Sequence, residues 1–483
     1  MEANLEALGS VSGQRILVLN WRDTKHPLAG GAEKYMHEIS RRWVAAGADV
    51  TWFTGRGREQ GPRDTVDGVK ILRMGGTLSV YPMAAMKLVR SRGDFDAVVD
   101  CQNGIPFFSP LAAPRKIPVV QVVHHVHQDQ FSTRFSAPMA AFGKFLEGTA
   151  SRWVYGRRPI AAVSPSTRRE LRRQLGFPGP IFVVPNGTIE VPHTVGPRDP
   201  DPTVTVVTRL VPHKRVDLLL GQLAVVAQAI PRLRVNIVGD GPERGRLQQI
   251  AADLGLHSTV KFHGFQPNAV RDQLLNGSWL TAITSAAEGW GLSVIESAAW
   301  GVPCLALRVP GIRDSVVDEE TGWLVDRPSD YGDALIDKLR ALSDESLARE
   351  IAGACQDWAR CFTWERSASL LAGVLQEAAL RQDRSLAESR GSRTDLSTMA
   401  AFGLPPGTDL RAHLRPTDEV VHDGGKVTVL FNGCDEFDTA QVLADMGVDD
   451  AELRPVELSD LLAGPVGRPS RGRTSTQGAT GIP

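Results

Sequence analysis

The chain predicts an α/β architecture: two doubly wound, parallel-sheet halves facing a cleft, followed by a C-terminal extension. Three observations carry that expectation. From Arg15 onward, short β-branched apolar runs alternate with amphipathic stretches, the pattern of parallel strands buried on both faces with helices between them. A polar, Pro-rich segment at 192–202 interrupts the alternation, which then restarts. The 483 residues allow about three domains' worth of chain.

Taken in order, the first half places strands at 16–20, 50–54, 69–73, 97–101, 119–123, 160–163 and 182–184, with a helix at 32–46 among the connections. The second half places strands at 203–208, 234–238, 260–262, 280–284 and 304–307. Its helices are expected at 216–229, 243–253, 269–275, 292–300 and 330–342, and a last helix at 364–380. Two such Rossmann-like halves leave a crevice faced by the carboxyl ends of their strands, where ligands usually bind. Beyond the last helix, 381–397 is charged and Ser-rich and reads as a linker. In the tail from Met399, a strand at 427–431 and a helix at 439–445 describe a small appended module or a partly disordered extension, and 464–483 lacks any core-forming pattern.

Composition narrows the function classes. Lys and Arg number 54 against 55 Asp and Glu, a net charge of -1, so no global charge argues for a nucleic-acid partner. The five cysteines are scattered and form no CxxC pair, which points to reduced thiols, with neither a disulfide framework nor a zinc site. No apolar run is long enough to span a bilayer, and the first residues are acidic where a signal peptide would be basic. A cytoplasmic protein is therefore expected, with peripheral contact at the inner face of the plasma membrane left open.

The most informative stretch runs from Glu288 through Gly289, Trp290 and Gly291 to Glu296, between a strand and a helix. Its glycines admit a close ligand, and the N–H groups at the helix start favour an anion. Two ionised carboxylates accept hydrogen bonds only, so they can hold separate sets of hydroxyls. That combination suits a sugar joined to a phosphate. Arg209 and Lys214 follow the strand at 203–208 and could hold the two charges of a diphosphate, the first as a planar fork and the second as a point charge. Gly30 and Gly31 open a helix after the first strand and could present N–H groups to a phosphate or an acceptor hydroxyl; a plain strand-to-helix turn is the alternative. Gly239-Asp240-Gly241 reads as a turn that shapes the cleft floor.

His124, His125 and His127 end the strand at 119–123, where an imidazole could bond a sugar hydroxyl or assist proton transfer. A metal site is disfavoured because adjacent strand histidines face opposite ways and no nearby Cys or carboxylate completes a ligand set. Residues 131–158 mix Arg134, Lys144, Arg152, Arg157 and Arg158 with Phe142, Phe145, Leu146, Trp153 and Tyr155. They form either a helix lying on an anionic membrane or a helix packed on the sheet with a solvated basic face.

Together these residues resemble family 4 of the retaining glycosyltransferases, which have the two-lobed GT-B fold. The likeness covers roughly Arg15 to Leu380. The family's Glu-x7-Glu matches Glu288 to Glu296, its Arg-x4-Lys matches Arg209 and Lys214, and its Gly-Gly loop matches Gly30 and Gly31. The Val-Val-x-x-Val-His pattern places His124 at the family's active-site histidine. Val184-Pro-Asn-Gly187 resembles the inter-lobe strand end, Val163-Ser-Pro-Ser166 a helix start, and Val302-Pro303 and 320–325 the downstream turns. Trp290 stands where Phe is usual and Ser293 where Pro is usual.

The resemblance implies an extension at 1–14, an acceptor lobe at 15–190, a nucleotide-sugar lobe at 191–365, a helix returning to the first lobe at 366–383, and a linker with a small or partly disordered extension at 384–483. It implies a nucleoside-diphosphate sugar donor, with Glu296 on the ribose and Glu288 on sugar hydroxyls. Arg209 and Lys214 would hold the leaving diphosphate, helped by backbone donors around Gly291, Leu292 and Ser293 and by Gly30 and Gly31. His124 would position the sugar, and no cofactor or metal would be required. The acceptor would be a glycan or lipid-linked hydroxyl, joined as an α-glycoside. Three other functions compete: a sugar-nucleotide epimerase of the same fold, a non-catalytic sugar-nucleotide-binding protein, and an NAD-dependent dehydrogenase. The last requires GxGxxG after the first strand, and that spacing is absent.

Overall fold

In a computed structural model, the described residues are 6–91, 93–128, 131, 136–382, 395–405, 407–423, 425–448 and 450–465. Most of the linker expected at 381–397, all but two residues of the terminal stretch expected at 464–483, the first five residues and Arg134 lie outside them.

The first sheet holds β1 (Arg15–Leu19), β2 (Asp49–Thr54), β3 (Arg63–Val66), β4 (Val69–Arg73), β5 (Ala97–Gln102), β6 (Val119–Val123), β7 (Ile160–Ala162) and β8 (Ile181–Val183), in the order β3-β4-β2-β1-β5-β6-β7-β8. Every pairing is parallel except that of β3 with β4. The alternation along β1 explains its apolar sequence. Ile16 and Val18 enter one core with Trp43 and Trp52, while Leu17 and Leu19 enter another with Phe53 and Phe177. The sequence reading missed β3, whose polar residues and partial exposure are those of an antiparallel edge strand.

The second sheet holds β9 (Thr203–Val207), β10 (Arg234–Val238), β11 (Val260–Gly264), β12 (Leu280–Ile283), β13 (Cys304–Leu307) and β14 (Gly322–Val325), all parallel, in the order β11-β10-β9-β12-β13-β14. The stretch read as a turn at 320–325 is thus strand β14. The order reverses beside β1 in the first sheet and beside β9 in the second. These are the switch points where crevices open outside the strand ends.

Five helices frame the crevice and the joints around it: α1 (Gly31–Ala45), α2 (Pro165–Arg173), α3 (Leu292–Ala299), α4 (Glu345–Arg360) and α5 (Trp364–Leu380). Ser164 caps α2 by accepting from Thr167 N at 3.1 Å, Asp344 caps α4, and Thr363 caps α5. Helix α4 was not expected. Helix α5 lies against α1, where Trp43 Nε1 donates to Ala368 O at 3.0 Å, and against the segment after β8, where Ser367 Oγ donates to Pro185 O at 2.7 Å. A side-chain carbon at Gly187 would overlap Trp364 N, so the crossing requires glycine there.

The tail is a module with its own core. Strands β15 (Ser397–Gly403), β16 (Glu419–Asp423), β17 (Lys426–Asn432) and β18 (Glu452–Pro455) pair antiparallel in the order β16-β17-β15-β18. Helix Glu436–Asp445 supplies Val442 and Leu443 to a core with Phe402, Val429 and Phe431. The module docks on α5, where Arg366 donates to Glu419 (2.8 Å) and to Leu462 O.

Candidate active site

The loop after β9 carries Arg209 and Lys214. It is held by the turn that follows β10: Leu210 N donates to Asp240 O at 2.9 Å, and Glu243 N to Leu210 O at 3.1 Å. Gly239, at φ +135°, allows that approach, since a side-chain carbon there would overlap Thr208 O. The turn thus braces the loop that carries Arg209. A 3₁₀ turn, Pro212–Lys214, then delivers the lysine, and Ala286 N donates to His213 O at 2.8 Å, tying this loop to the one after β12.

Lys214 Nζ pairs with Glu288 Oε1, which also accepts from Ser285 Oγ at 2.9 Å. Burial pushes the Glu288 carboxyl up, but Lys214 and Ser285 outweigh it and hold the carboxyl below its ordinary value. Glu288 is therefore ionised at neutral pH. Gly291 then takes the left-handed conformation, φ +94°, and starts α3, leaving the Leu292 and Ser293 N–H groups without an intrahelical acceptor. One and a half turns into the helix, Glu296 is only 6% exposed. Its Oε1 accepts from Lys34 Nζ at 2.5 Å, and its Oε2 lies 3.5 Å from Arg271.

The first lobe faces this set. A side-chain carbon at Gly30 would lie 3.5 Å from Arg209 Cζ, and one at Gly31 would lie 3.0 Å from Leu292 Cδ1. The two glycines are thus directly across the crevice from the diphosphate candidates. One expectation is corrected: the Gly30 N–H donates to Glu33 Oε2 at 2.7 Å, in a helix-start box, and is not available to a phosphate.

His124 sits just past β6, buried edge-on against Tyr35 with ring centroids 5.1 Å apart. Its backbone oxygen packs where a side chain on Gly289 would have to go. Its Nε2 has no hydrogen-bond partner among the described residues. Burial, helped by His125 and His127, pulls its pKa down to about 3. A neutral ring of that kind can bond a hydroxyl, but it is a poor proton carrier at neutral pH, which corrects the proton-transfer option. His125 and His127 stack on each other at 3.7 Å. The expectation that no carboxylate lies nearby is corrected, since folding brings Glu147 to 3.3 Å from His127 Nδ1; among the described residues, no group of three or more side chains that could hold a metal forms there. Burial raises the Glu147 pKa to about 7, against the backbone N–H of His127 and the Gln128 amide.

Arg209, Lys214, Glu288, Glu296, Gly30, Gly31, Gly291, Leu292, Ser293 and His124 therefore converge on one crevice. The sequence reading missed Lys34 and Arg271. Lys34 lies three residues past Gly31, one turn along α1, but nothing in the sequence pairs it with a carboxylate 262 positions away. It also missed Asp23, buried in a two-pronged pair with Arg73 (2.7 and 3.1 Å), which braces the loop between β1 and α1. Trp290, the departure from the usual Phe, is a core residue packed edge-on against Phe362.

Comparison with known proteins places the chain among glycosyltransferases. Residues 29–189 match the model described as Glycosyltransferase Family 4, and residues 190–356 the model described as Glycosyl transferases group 1. The chain is 32% identical over 353 residues to a GDP-mannose-dependent alpha-(1-6)-phosphatidylinositol monomannoside mannosyltransferase of Mycolicibacterium smegmatis, covering 70% of this chain and 77% of that one. It is 26% identical over 403 residues to a D-inositol 3-phosphate glycosyltransferase of Thermomonospora curvata, covering 72% and 90%. Sucrose-phosphate synthase from Thermosynechococcus elongatus shares the fold at a TM-score of 0.62 and 20% identity, covering 78% of this chain and all of that one.

Proposed function

The chain belongs to family 4 of the glycosyltransferases, and from that membership we propose that it is a retaining enzyme moving a sugar from a nucleoside-diphosphate donor to a glycan or lipid-linked hydroxyl, forming an α-glycoside. The observation that carries this reading is the meeting of Arg209, Lys214 and Glu288 at the switch point between β9 and β12, opposite Gly30 and Gly31.

The donor diphosphate replaces Glu288 as the partner of Lys214 and engages Arg209. Charge grows on the leaving phosphate as the sugar C–O bond breaks, so cations fixed there stabilise the transition state more than the ground state. Glu288, released from Lys214, accepts from donor-sugar hydroxyls, and Glu296 accepts from the ribose. His124 orients the sugar. The acceptor oxygen bonds on the face the diphosphate leaves, and its proton passes to a departing phosphate oxygen. Two cations beside the diphosphate supply the charge a metal would supply, so the reaction is read as metal-independent.

The names of the relatives make GDP-mannose the first donor to test and an inositol-based or lipid-linked acceptor the first acceptor class. Lys214→Ala and Glu288→Ala are expected to lower turnover by about 10²–10³-fold or more, measured as acceptor-dependent release of nucleoside diphosphate, with the thermal midpoint retained. Unaltered turnover in either variant removes the assigned role. A thermal-shift screen of UDP-, GDP- and ADP-sugars identifies the donor, because a bound ligand raises apparent stability by mass action.

A peripheral position at the cytoplasmic membrane face is part of the proposal. Helix Ala137–Phe145 and the turns after it expose Phe142, Phe145 and Trp153 beside Lys144 and Arg152. Among the described residues, no helix is long and apolar enough to cross a membrane. The double variant Phe142→Ser, Trp153→Ser is expected to lose co-sedimentation with anionic vesicles, and unchanged sedimentation rejects this face as the docking surface.

A further inference from the structure

A second basic site lies away from the crevice, where α2 of the first lobe, the end of α5 and the appended module meet. There a shallow cleft opens to solvent, lined among others by Arg168, Arg381, Arg415, Asp395 and Asn432. Among the described residues, its charges are not balanced. Asp395 is held at both oxygens by Arg172, with bonds of 2.8 Å to each, and Arg381 is bonded to Glu377 at 2.8 Å. The side chains of Arg168 and Arg415 make no hydrogen bond or ion pair with any described residue. Asp418, the carboxylate nearest Arg415 in sequence, instead accepts from the backbone N–H groups of Arg415 and Asn432, each at 2.9 Å. Among the described residues, four guanidiniums (Arg168, Arg172, Arg381 and Arg415) thus meet three carboxylates (Asp395, Glu377 and Asp418), a surplus of one positive charge.

Arg168 is partly buried, and burial disfavours its charged form, with Asp395 working against that shift. A guanidinium taken from water without an acceptor is costly, and a facing anion removes the cost. Arg forks match the oxygens of a phosphoryl group two at a time.

We propose that this seam is a binding site for a phosphoryl dianion, distinct from the donor crevice and carried either by a small phosphorylated metabolite or by a phospholipid headgroup. The anion bridges Arg168 of the first lobe and Arg415 of the module, so its binding fastens the module to the lobe.

The test uses the full chain carrying Lys214→Ala, which weakens phosphate binding in the crevice. Isothermal titration with inorganic phosphate is expected to show saturable binding in this background. Adding Arg168→Gln and Arg415→Gln is expected to weaken it at least about tenfold. Arg415→Lys, which keeps the charge but loses the fork, is expected to fall between and covers the case in which the double change disturbs folding. Absence of saturable binding in the Lys214→Ala chain, or affinity indifferent to Arg168 and Arg415, overturns the proposal. Titration with glycerol 3-phosphate against sedimentation with phosphatidic-acid vesicles then assigns the source: binding to the first alone means a metabolite, and binding to the vesicles that depends on both arginines means a headgroup.

Discussion

At the scale of single residues, the crevice is organised by charges that the fold pairs with one another. Lys214 and Glu288 are partners that the proposed donor would separate, and the pair holds the Glu288 carboxyl below its ordinary value. His124 is the opposite case, a titratable group held neutral. In the unfolded chain its pKa is 6.5 and in the fold about 3. Between those values the unfolded chain binds the extra proton, so stability rises with pH. The contribution is whole above about 6.5 and is lost as pH falls toward 3. Glu147 runs the other way, since its raised folded value costs stability as pH rises from 4.5 to about 7. His124→Phe keeps an aromatic ring against Tyr35 and leaves Glu147, His125 and His127 in place. Relative to wild type, its denaturant stability is expected to fall less steeply with acidification between about pH 6.5 and pH 4, by up to about 1.4 kcal/mol per pH unit. Parallel profiles would mean that His124 is solvated and protonates normally, and its neutral positioning role would go with that result.

At the scale of elements, α1 and α3 are joined across the crevice by Lys34 and Glu296. Lys34 holds the oxygen that the proposed ribose would use, so donor binding must displace an ion pair. A partly exposed pair is worth about 1 kcal/mol. Lys34→Met is therefore expected to tighten donor binding about fivefold, read by titration with the donor that the screen identifies. Weaker binding would place Lys34 on the donor itself. This link also marks the limit of sequence reading. Most strands of both lobes were legible because they are dominated by β-branched and apolar residues buried on both faces, and α5 because of its amphipathic run. The polar edge β3 carried no such signal, and the four residues of β14 are indistinguishable from a turn until they pair with β13. In the module only β17 was found: β16 and β18 are half-exposed or exposed throughout, and β15, though mostly buried, carries the small and polar residues Ser397, Thr398, Ala400 and Ala401 and begins inside the stretch read as a linker. The members of the crevice were legible as motifs. Their partners were not, because Lys34 and Arg271 reach Glu296 only through the closeness of three separate elements.

At the scale of the whole molecule, the crevice depends on how the lobes meet, and the module depends on α5. Ser166 N donates to Asp314 Oδ2 at 2.8 Å and Arg313 Nε to Ser166 Oγ at 2.9 Å, so α2 of the first lobe is clasped by the second. The Gly289 loop closes on His124. Helix α5 lies on the first lobe and carries the module on the same segment, through Arg366 and through Gly373, where a side-chain carbon would overlap Pro416 O. Arg366 and Glu419 are only 10% and 13% exposed, so the pair is screened less than a surface one. Glu419→Gln leaves Arg366 with the Leu461 and Leu462 carbonyls and one amide oxygen. A hydrogen bond between charged groups contributes about 1.5–3 kcal/mol, and the loss is expected to fall on module docking. Limited proteolysis between the helix and the module should accelerate, while glycosyl transfer stays near the wild-type rate, because none of the crevice residues touches β16. A parallel fall in transfer would mean that the module supports the crevice through α5, making the extension part of the catalytic unit.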